Sequence, residues 1–196
     1  MPIRGAPPID QDAVLDVATE LLGTYGVRRV SLSDLSSAAR VSRQSLYRWF
    51  GDRDGVVRAV LIRERDRFVE AALAAAADKP DVGPALEAVI TKTLQMAATH
   101  PLLNRLRLSD PEVLLPLLAS ANNIVSTTVS AVIVEFITSR VPDADPVRVD
   151  EAADVFTRLI VSYLVNPPAI PPARLATIAA TVVATVLNRE ESPVLS

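Results

Sequence analysis

SLSDLSSAARVSRQSLYRWF, residues 31–50, divides into two short helical segments around a tight turn. Ser31 stands where an N-cap is needed, and Leu32, Leu35 and Ala39 recur at helical spacing on one face. The first segment stops near Arg40 and Val41. Ser42 then offers a second cap, its hydroxyl accepting a free backbone N–H at the start of a helix that carries Arg43, Gln44, Ser45, Tyr47 and Arg48. Leu46 and Phe50 lie four apart and turn inward. What remains outward is rich in donors, includes an aromatic ring and has no carboxylate, which is the chemistry a phosphate-lined major groove requires. The pattern is that of a helix-turn-helix.

The flanking sequence is helical as well. Asp10 to Tyr25 places Val14, Val17, Ala18, Leu21, Leu22 and Tyr25 on one face and ends at Gly26, a ready C-cap. Asp52 caps a fourth helix that continues through Val56, Val57, Val60 and Leu61 to the alanines before Pro80. Beyond it, prolines at 84, 101, 111, 116, 142, 146, 167, 168, 171 and 172 mark helix boundaries. They predict helices over about 84–99, 102–108, 112–140 with a bend near Pro116, 146–165 and 172–189. No strand pattern competes, so the expected fold class is all-α. The expected division is a flexible leader over 1–9, whose Arg4 more plausibly trails in solvent than touches DNA, a helix-turn-helix domain over 10–55, and a helical regulatory and dimerisation domain over 56–196, with the fourth helix bridging the last two.

Composition bounds the function. Hydrophobic residues make up 49% of the chain but aromatics only 4%, so the interior must be built from Ala, Val, Leu and Ile. The absence of cysteine removes disulfides, thiolate metal sites and cysteine nucleophiles. No basic-then-apolar leader points to secretion, and a cytoplasmic location is expected. The uncharged run Val113–Val134 is long enough for a membrane span, yet Pro116, Ser120, Asn122, Asn123, Ser126, Thr127, Thr128 and Ser130 are too polar to face lipid, so no membrane partner is expected. The net charge of −3 hides an asymmetry: Met1 to Arg67 holds 11 Arg against 9 Asp and Glu, while the remainder holds 9 basic and 14 acidic residues. Asp10, Asp12, Asp16 and Glu20 lie mostly in the first turns of helix 1, where they favour its dipole.

Residues 10–61 resemble the DNA-binding domain of the tetracycline-repressor (TetR) family. The resemblance rests on Tyr25-Gly26, Val41-Ser42, Leu46-Tyr47-Arg48-Trp49-Phe50 and Asp52-Arg53-Asp54. One departure is Arg40, where the family usually has glycine in the turn; a positive φ costs another L-residue roughly 1 kcal/mol, so either a left-handed Arg40 or a reshaped turn is predicted. The resemblance implies that Arg43 and Gln44 read bases, arginine through guanine O6 and N7 and glutamine through adenine N6 and N7. It implies that Tyr47 touches phosphate or a thymine methyl. Ser31, Ser42, Ser45, Arg48 and Arg53 are the phosphate candidates, Trp49 lies beside the sugar-phosphate backbone or serves as a structural aromatic, and Ser33 sits where some relatives place a base-reading residue, its short side chain making a base contact less expected.

The last two helices bear on assembly. Ala152, Val155, Phe156, Leu159, Ile160 and Tyr163 follow a helical repeat, as do Leu175, Ile178, Ala179, Val182, Val183 and Val186. Ala176, Ala180, Ala184 and the threonines at 177, 181 and 185 line the other side, with no charge between Arg174 and Arg189, so the final helix reads as buried on two sides. One side suits its own domain and the other a symmetry mate, as the resemblance also implies; the expected homodimer interface comprises Val155, Leu159, Leu175, Ala176, Ile178, Ala179, Val182, Val183 and Val186. The resemblance further implies an effector site, for a small apolar or lipid-like molecule that releases DNA. Its expected lining is Leu94, Met96, Leu103, Leu106, Asn122, Asn123, Ser126, Thr127, Ser130, Phe136, Phe156 and Tyr163, with Arg105 or Arg107 available for an acidic head.

An enzyme is the competing reading. His100 is the sole histidine, it precedes Pro101 at a helix end where capping is its expected role, and no Gly-rich phosphate loop, metal-ligand cluster or cofactor motif accompanies it. A further alternative is a helical small-molecule-binding or sequestration protein with vestigial DNA binding, which predicts ligand binding without a specific DNA footprint. The favoured expectation is a ligand-responsive regulator, a repressor bound to a palindromic operator as a homodimer.

Overall fold

The computed structural model describes residues 10–114 and 124–188; the leader over 1–9 with Arg4, the bend at Pro116, and Asn122 and Asn123 lie outside them. The described residues form α1 (Gln11–Tyr25), a 3-10 turn (Val27–Arg29), α2 (Leu32–Ala39), α3 (Arg43–Phe50), α4 (Arg53–Ala75), α5 (Val82–Thr99), α6 (Pro101–Ser109), α7 (Ile124–Thr138), α8 (Pro146–Val165) and α9 (Pro172–Leu187), with no strand among them. Prolines open three of these helices, at Pro101, Pro146 and Pro172, where a missing N–H costs nothing and the fixed φ suits the first turn.

The chain packs as two compact units, one containing everything to Asp66 together with His100–Val113, the other containing Arg67–Thr99 and the chain from Leu114 onward. These units do not follow a single cut in the sequence. α6 joins the first unit because its apolar side, Leu102 and Leu106, packs with α1, whereas the proline-punctuated sequence around it offers no sign of a return to the N-terminal helices.

In the first unit, Val14, Ala18, Leu22, Leu35, Leu46, Val56 and Val60 form the buried interior. Tyr25, expected on the inner face of α1, is 56% exposed, because the helix ends there and Gly26 turns the chain away at φ +88°. Polar groups tie the helices together where the apolar interior is thin. Arg63 donates to the Asp12 carbonyl (2.7 Å) and the Thr19 hydroxyl (3.1 Å) and pairs with Asp16 at 3.0 Å. Its neighbour Glu64 is buried, which a carboxylate tolerates only when paired, and His100 Nε2 lies 3.0 Å from its Oε2. His100 Nδ1 accepts from the Leu103 N–H at 3.2 Å and so caps α6 as the sequence predicts; with Nδ1 accepting, the ring proton sits on Nε2 and is donated to Glu64.

In the second unit, α9 packs against α5 and α8, and α8 against α7. Leu86, Ile90, Ile137, Phe156 and Val183 are fully buried in one aliphatic cluster. Arg140 closes the end of α4 by donating to the carbonyls of Ala76 (3.0 Å) and Lys79 (3.3 Å), its guanidinium 3.9 Å from the centre of the Phe136 ring. α9 is rotated from the expected register. Leu175, Ala176, Ala179, Ala180 and Val183 turn inward, while Ile178 and Val182 face out together with Thr177, Thr181 and Thr185. Apolar and small residues surround this helix completely, so periodicity could not choose its inner side; the close approach of α5 and α8 selects the alanines.

Candidate nucleic-acid interface

The helix pair of the opening stretch is built by its caps. Ser31 forms a capping box with Asp34: its hydroxyl accepts the Asp34 N–H at 3.2 Å, and the Asp34 carboxylate accepts the Ser31 N–H at 2.8 Å and the Ser31 hydroxyl at 2.6 Å. These bonds from the Ser31 hydroxyl and amide hold the Asp34 carboxyl below the usual carboxylate range. Their stabilising contribution is therefore present above the unfolded pKa and is lost as pH falls through the lowered folded value. The Ser31 hydroxyl, expected near phosphate, is engaged in the capping box.

The turn between α2 and α3 takes the first of the two predicted forms. Arg40 is left-handed at φ 55° and ψ 38°, the one non-glycine residue with positive φ among those described. Ser36 compensates, its carbonyl accepting the Val41 N–H at 3.1 Å and its hydroxyl donating to the Val41 carbonyl at 2.6 Å. The standard turn is thus kept at the cost of backbone strain. Arg40→Gly is expected to raise the unfolding free energy by about 1 kcal/mol, read from urea denaturation; an unchanged or lower midpoint would show that the turn carries no strain.

Ser42 caps α3, accepting the Ser45 N–H at 3.0 Å, with the two hydroxyls also 3.0 Å apart. Leu46 is fully buried and anchors the helix. Arg43, Gln44, Tyr47 and Arg48 form its exposed side, Tyr47 being 56% exposed, and no acid lies on the helix. Arg43 donates to the Ser33 hydroxyl of α2, which orients the arginine. Trp49 is half-buried, edge-on to Phe50 with centroids 6.3 Å apart, and Arg48 lies 5.8 Å from its ring centre. The tryptophan thus braces both the helix and its exposed cation.

Arg53, expected at phosphate, is held by groups of its own unit. Its Nε donates to the Val30 carbonyl at 2.8 Å, a terminal nitrogen donates to the Val27 carbonyl, and the other pairs with Asp54 at 3.1 Å. The guanidinium is held by two backbone carbonyls and a carboxylate and latches the start of α4 to the turn before α2. Sequence reasoning also passed over Gly55. Its N–H donates to Asp52 Oδ1 at 2.7 Å, and a Cβ there would lie 1.8 Å from the Phe50 carbonyl oxygen. The available signal was a glycine in the first turn of a helix, where it costs about 1 kcal/mol against alanine and therefore calls for a reason.

The described residues of the expected effector lining are distributed over both units. Leu94, Phe136 and Phe156 are buried in the aliphatic cluster of the second unit, with Tyr163 partly buried against it and Met96 half-buried. Leu103 and Leu106 belong to the first unit, where Leu106 is buried. Thr127 is exposed and Ser130 half-buried on α7; the side chain of Ser126, like Asn122 and Asn123, lies outside the described residues. On α6, Arg105 donates to the Tyr25 carbonyl at 3.2 Å and Arg107 to the Asn104 side chain, burial pushing the Arg107 guanidinium below its ordinary pKa. An open groove of about 520 Å³ lies elsewhere, between Gly83, Pro84 and Glu87 of α5 and Ala180, Thr181, Ala184 and Thr185 of α9. Of the expected interface residues, Leu175, Ala176, Ala179 and Val183 are buried within their own unit. Ile178 (48%) and Val182 (42%) are exposed, and Val155, Leu159 and Val186 are partly so.

No metal-binding group of His, Asp or Glu occurs among the described residues, and none of their helices is long and apolar enough to cross a membrane.

Residues 14–60 match the family model for "Bacterial regulatory proteins, tetR family", and residues 81–185 match that for "Bacterial Tetracyclin repressor, C-terminal domain". The transcriptional repressor ComR of Escherichia coli (strain K12) is 42% identical over 66 residues, 33% of this chain and 31% of that protein. The regulator AlkX of Mycobacterium tuberculosis (strain H37Rv) is 40% identical over 60 residues, 31% of this chain and 28% of that protein. The match thus spans less than a third of the length of these curated relatives. Among solved structures, the repressor AlkX from Dietzia sp. shares the fold at a TM-score of 0.73 and 22% identity, over 93% of this chain and 97% of that one. FadR from Bacillus halodurans does so at 0.55 and 15%, over 93% and 100%. All-helical among its described residues, with a capped helix pair and these matches, the chain falls in the class of helix-turn-helix regulators. It belongs to the TetR family of bacterial transcriptional regulators.

Proposed function

We propose that the protein is a homodimeric repressor that binds a palindromic operator and is released by a small apolar or lipid-like effector. The observation that carries DNA reading is α3: a capped, anchored helix whose exposed side is Arg43, Gln44, Tyr47 and Arg48 without an acid. In this reading Arg43 and Gln44 contact bases and Tyr47, Arg48 and the Ser42–Ser45 cap contact the backbone, two such heads meeting successive major grooves.

The dimer is supported by α9, whose outward side is Ile178 and Val182 among threonines that satisfy their own hydroxyls. Thr177 donates to the Ala173 carbonyl (3.2 Å), and Thr181 and Thr185 donate to the carbonyls of Thr177 and Thr181 (2.8 Å each). The threonines therefore present methyl groups, and the face is more apolar than its composition. The effector class is supported by the roles of two fold neighbours, AlkX, implicated in biodegradation of n-alkanes, and FadR, a fatty acid degradation regulator. Release is then a population shift toward a geometry in which the two heads no longer match the operator.

Selection of duplexes from a randomised library by the purified protein tests the reading; the expected product is a palindrome. Arg43→Ala is expected to cost about 1–3 kcal/mol per half-site on that duplex and far less on random DNA, measured by fluorescence anisotropy. Equal losses on both duplexes would remove Arg43 from base reading.

A further inference from the structure

The backbone of Val27 is gripped from two sides by side chains outside the exposed face of α3. Its N–H donates to Asp110 Oδ2 at 3.2 Å, and its carbonyl accepts from Arg53, whose Nε also holds the Val30 carbonyl at 2.8 Å. The grip extends along the chain: Arg105 donates to the Tyr25 carbonyl at 3.2 Å, and Arg28 pairs with Glu112 at 2.7 Å. Gly26 lies between them at φ +88°, and a Cβ on it would stand 2.9 Å from Asp110 Oδ2, so the turn fits against that carboxylate with no atom to spare. Asp110 is only 4% exposed. A carboxylate buried to that degree needs a donor, and the structure supplies the amide that opens the connection between α1 and α2.

That connection is short. Val27–Arg29 leads through Val30 and the Ser31 cap directly into α2, and α2 holds α3 through the Arg40 turn and the Ser33–Arg43 bond. An element fastened at both ends in this way transmits the position of its anchors to the helices after it. The segment carrying Asp110, residues 100–113, is also the stretch of this unit whose chain neighbours on both sides belong to the other unit.

We propose that Asp110 is a positioning residue for DNA recognition: by holding the Val27 N–H while Arg53 holds the Val27 carbonyl, it sets where α2 begins and so how α3 presents Arg43 and Gln44. The inference rests on the reading of α3 as the base-reading helix. Misplacement by about 1 Å spoils bidentate base contacts, whereas contacts to a uniformly charged backbone tolerate it.

The test compares full-length wild-type, Asp110→Ala and Asp110→Asn on the duplex that wild-type protein selects from a random library and on a random-sequence duplex. Binding is measured at 25 °C, with folding verified by circular dichroism. Asp110→Ala is expected to bind the selected duplex about tenfold more weakly, with binding to random duplex changed less than about twofold. Asp110→Asn, whose amide oxygen still accepts the Val27 N–H, is expected to recover most of the loss. A folded Asp110→Ala that binds the selected duplex like wild type, or that weakens on both duplexes equally, overturns the proposal. If that variant does not hold its fold at 25 °C, Arg105→Ala, which releases the Tyr25 carbonyl in the same grip, is judged by the same two outcomes. A wild-type protein that enriches no duplex overturns the recognition reading itself, and this inference with it.

Discussion

Gly55→Ala is expected to unfold the N-terminal unit at temperatures where the wild-type protein is intact. The added Cβ would lie 1.8 Å from the Phe50 carbonyl oxygen and 2.9 Å from its carbon. Both are backbone atoms, so no side-chain rotation relieves the clash; the end of α3 and the start of α4 must separate. Separation breaks the Asp52 bond to the Gly55 N–H at 2.7 Å and moves Arg53 away from the Val27 and Val30 carbonyls. Alanine's better helix propensity returns about 1 kcal/mol, while overpacking a site with no give costs about 1–3 kcal/mol or more, before the lost hydrogen bonds are counted. Against a total stability of roughly 5–15 kcal/mol, the net loss lowers the melting temperature by many degrees and removes DNA binding. Gly83→Ala is the control, since a Cβ there meets nothing within 4 Å, and it should be neutral or slightly stabilising. Thermal unfolding followed at 222 nm decides it: a Gly55→Ala protein melting within a few degrees of wild type would mean that the α3–α4 junction yields freely.

The second large effect is expected from Ile178→Glu combined with Val182→Glu. Both side chains are substantially exposed in the single chain, at 48% and 42%, so the substitutions should leave its fold intact. In the proposed dimer they would place four carboxylates in an apolar contact, where each unpaired charge costs several kcal/mol. Light scattering after gel filtration should report a dimer for wild type and a monomer for the variant. Operator affinity should fall by at least about two orders of magnitude, because one head retains one half-site. A variant that remains dimeric would move the interface off this face of α9, and a monomeric wild type that still binds a palindrome tightly would remove the dimer from the proposal.

The elements most legible in the sequence are those whose cause is local. Ser31 and Ser42 cap because their hydroxyls reach an amide three residues on, and His100 because it stands just before a helix-opening proline; at Arg40 the sequence left two forms open, and the structure takes the left-handed one. At Arg53 the sequence shows only a cation at a helix start. Nothing local reveals that two carbonyls from residues more than twenty positions earlier converge on it. Likewise, Leu103 and Leu106 share their aliphatic character with Leu94 and Phe136, and nothing local reveals that the two sets pack in different units.

By itself, then, the sequence determined the helices, their caps, the acid-free face of α3 and the family, because each depends on residue spacing and on hydrogen bonds that span a few positions. Tertiary structure alone decided which side of α9 remains exposed, why Gly55 must be a glycine, and that Asp110, just after α6, grips the connection between α1 and α2. These depend on distances between residues far apart in the chain, and a pattern read along the chain contains no such distances.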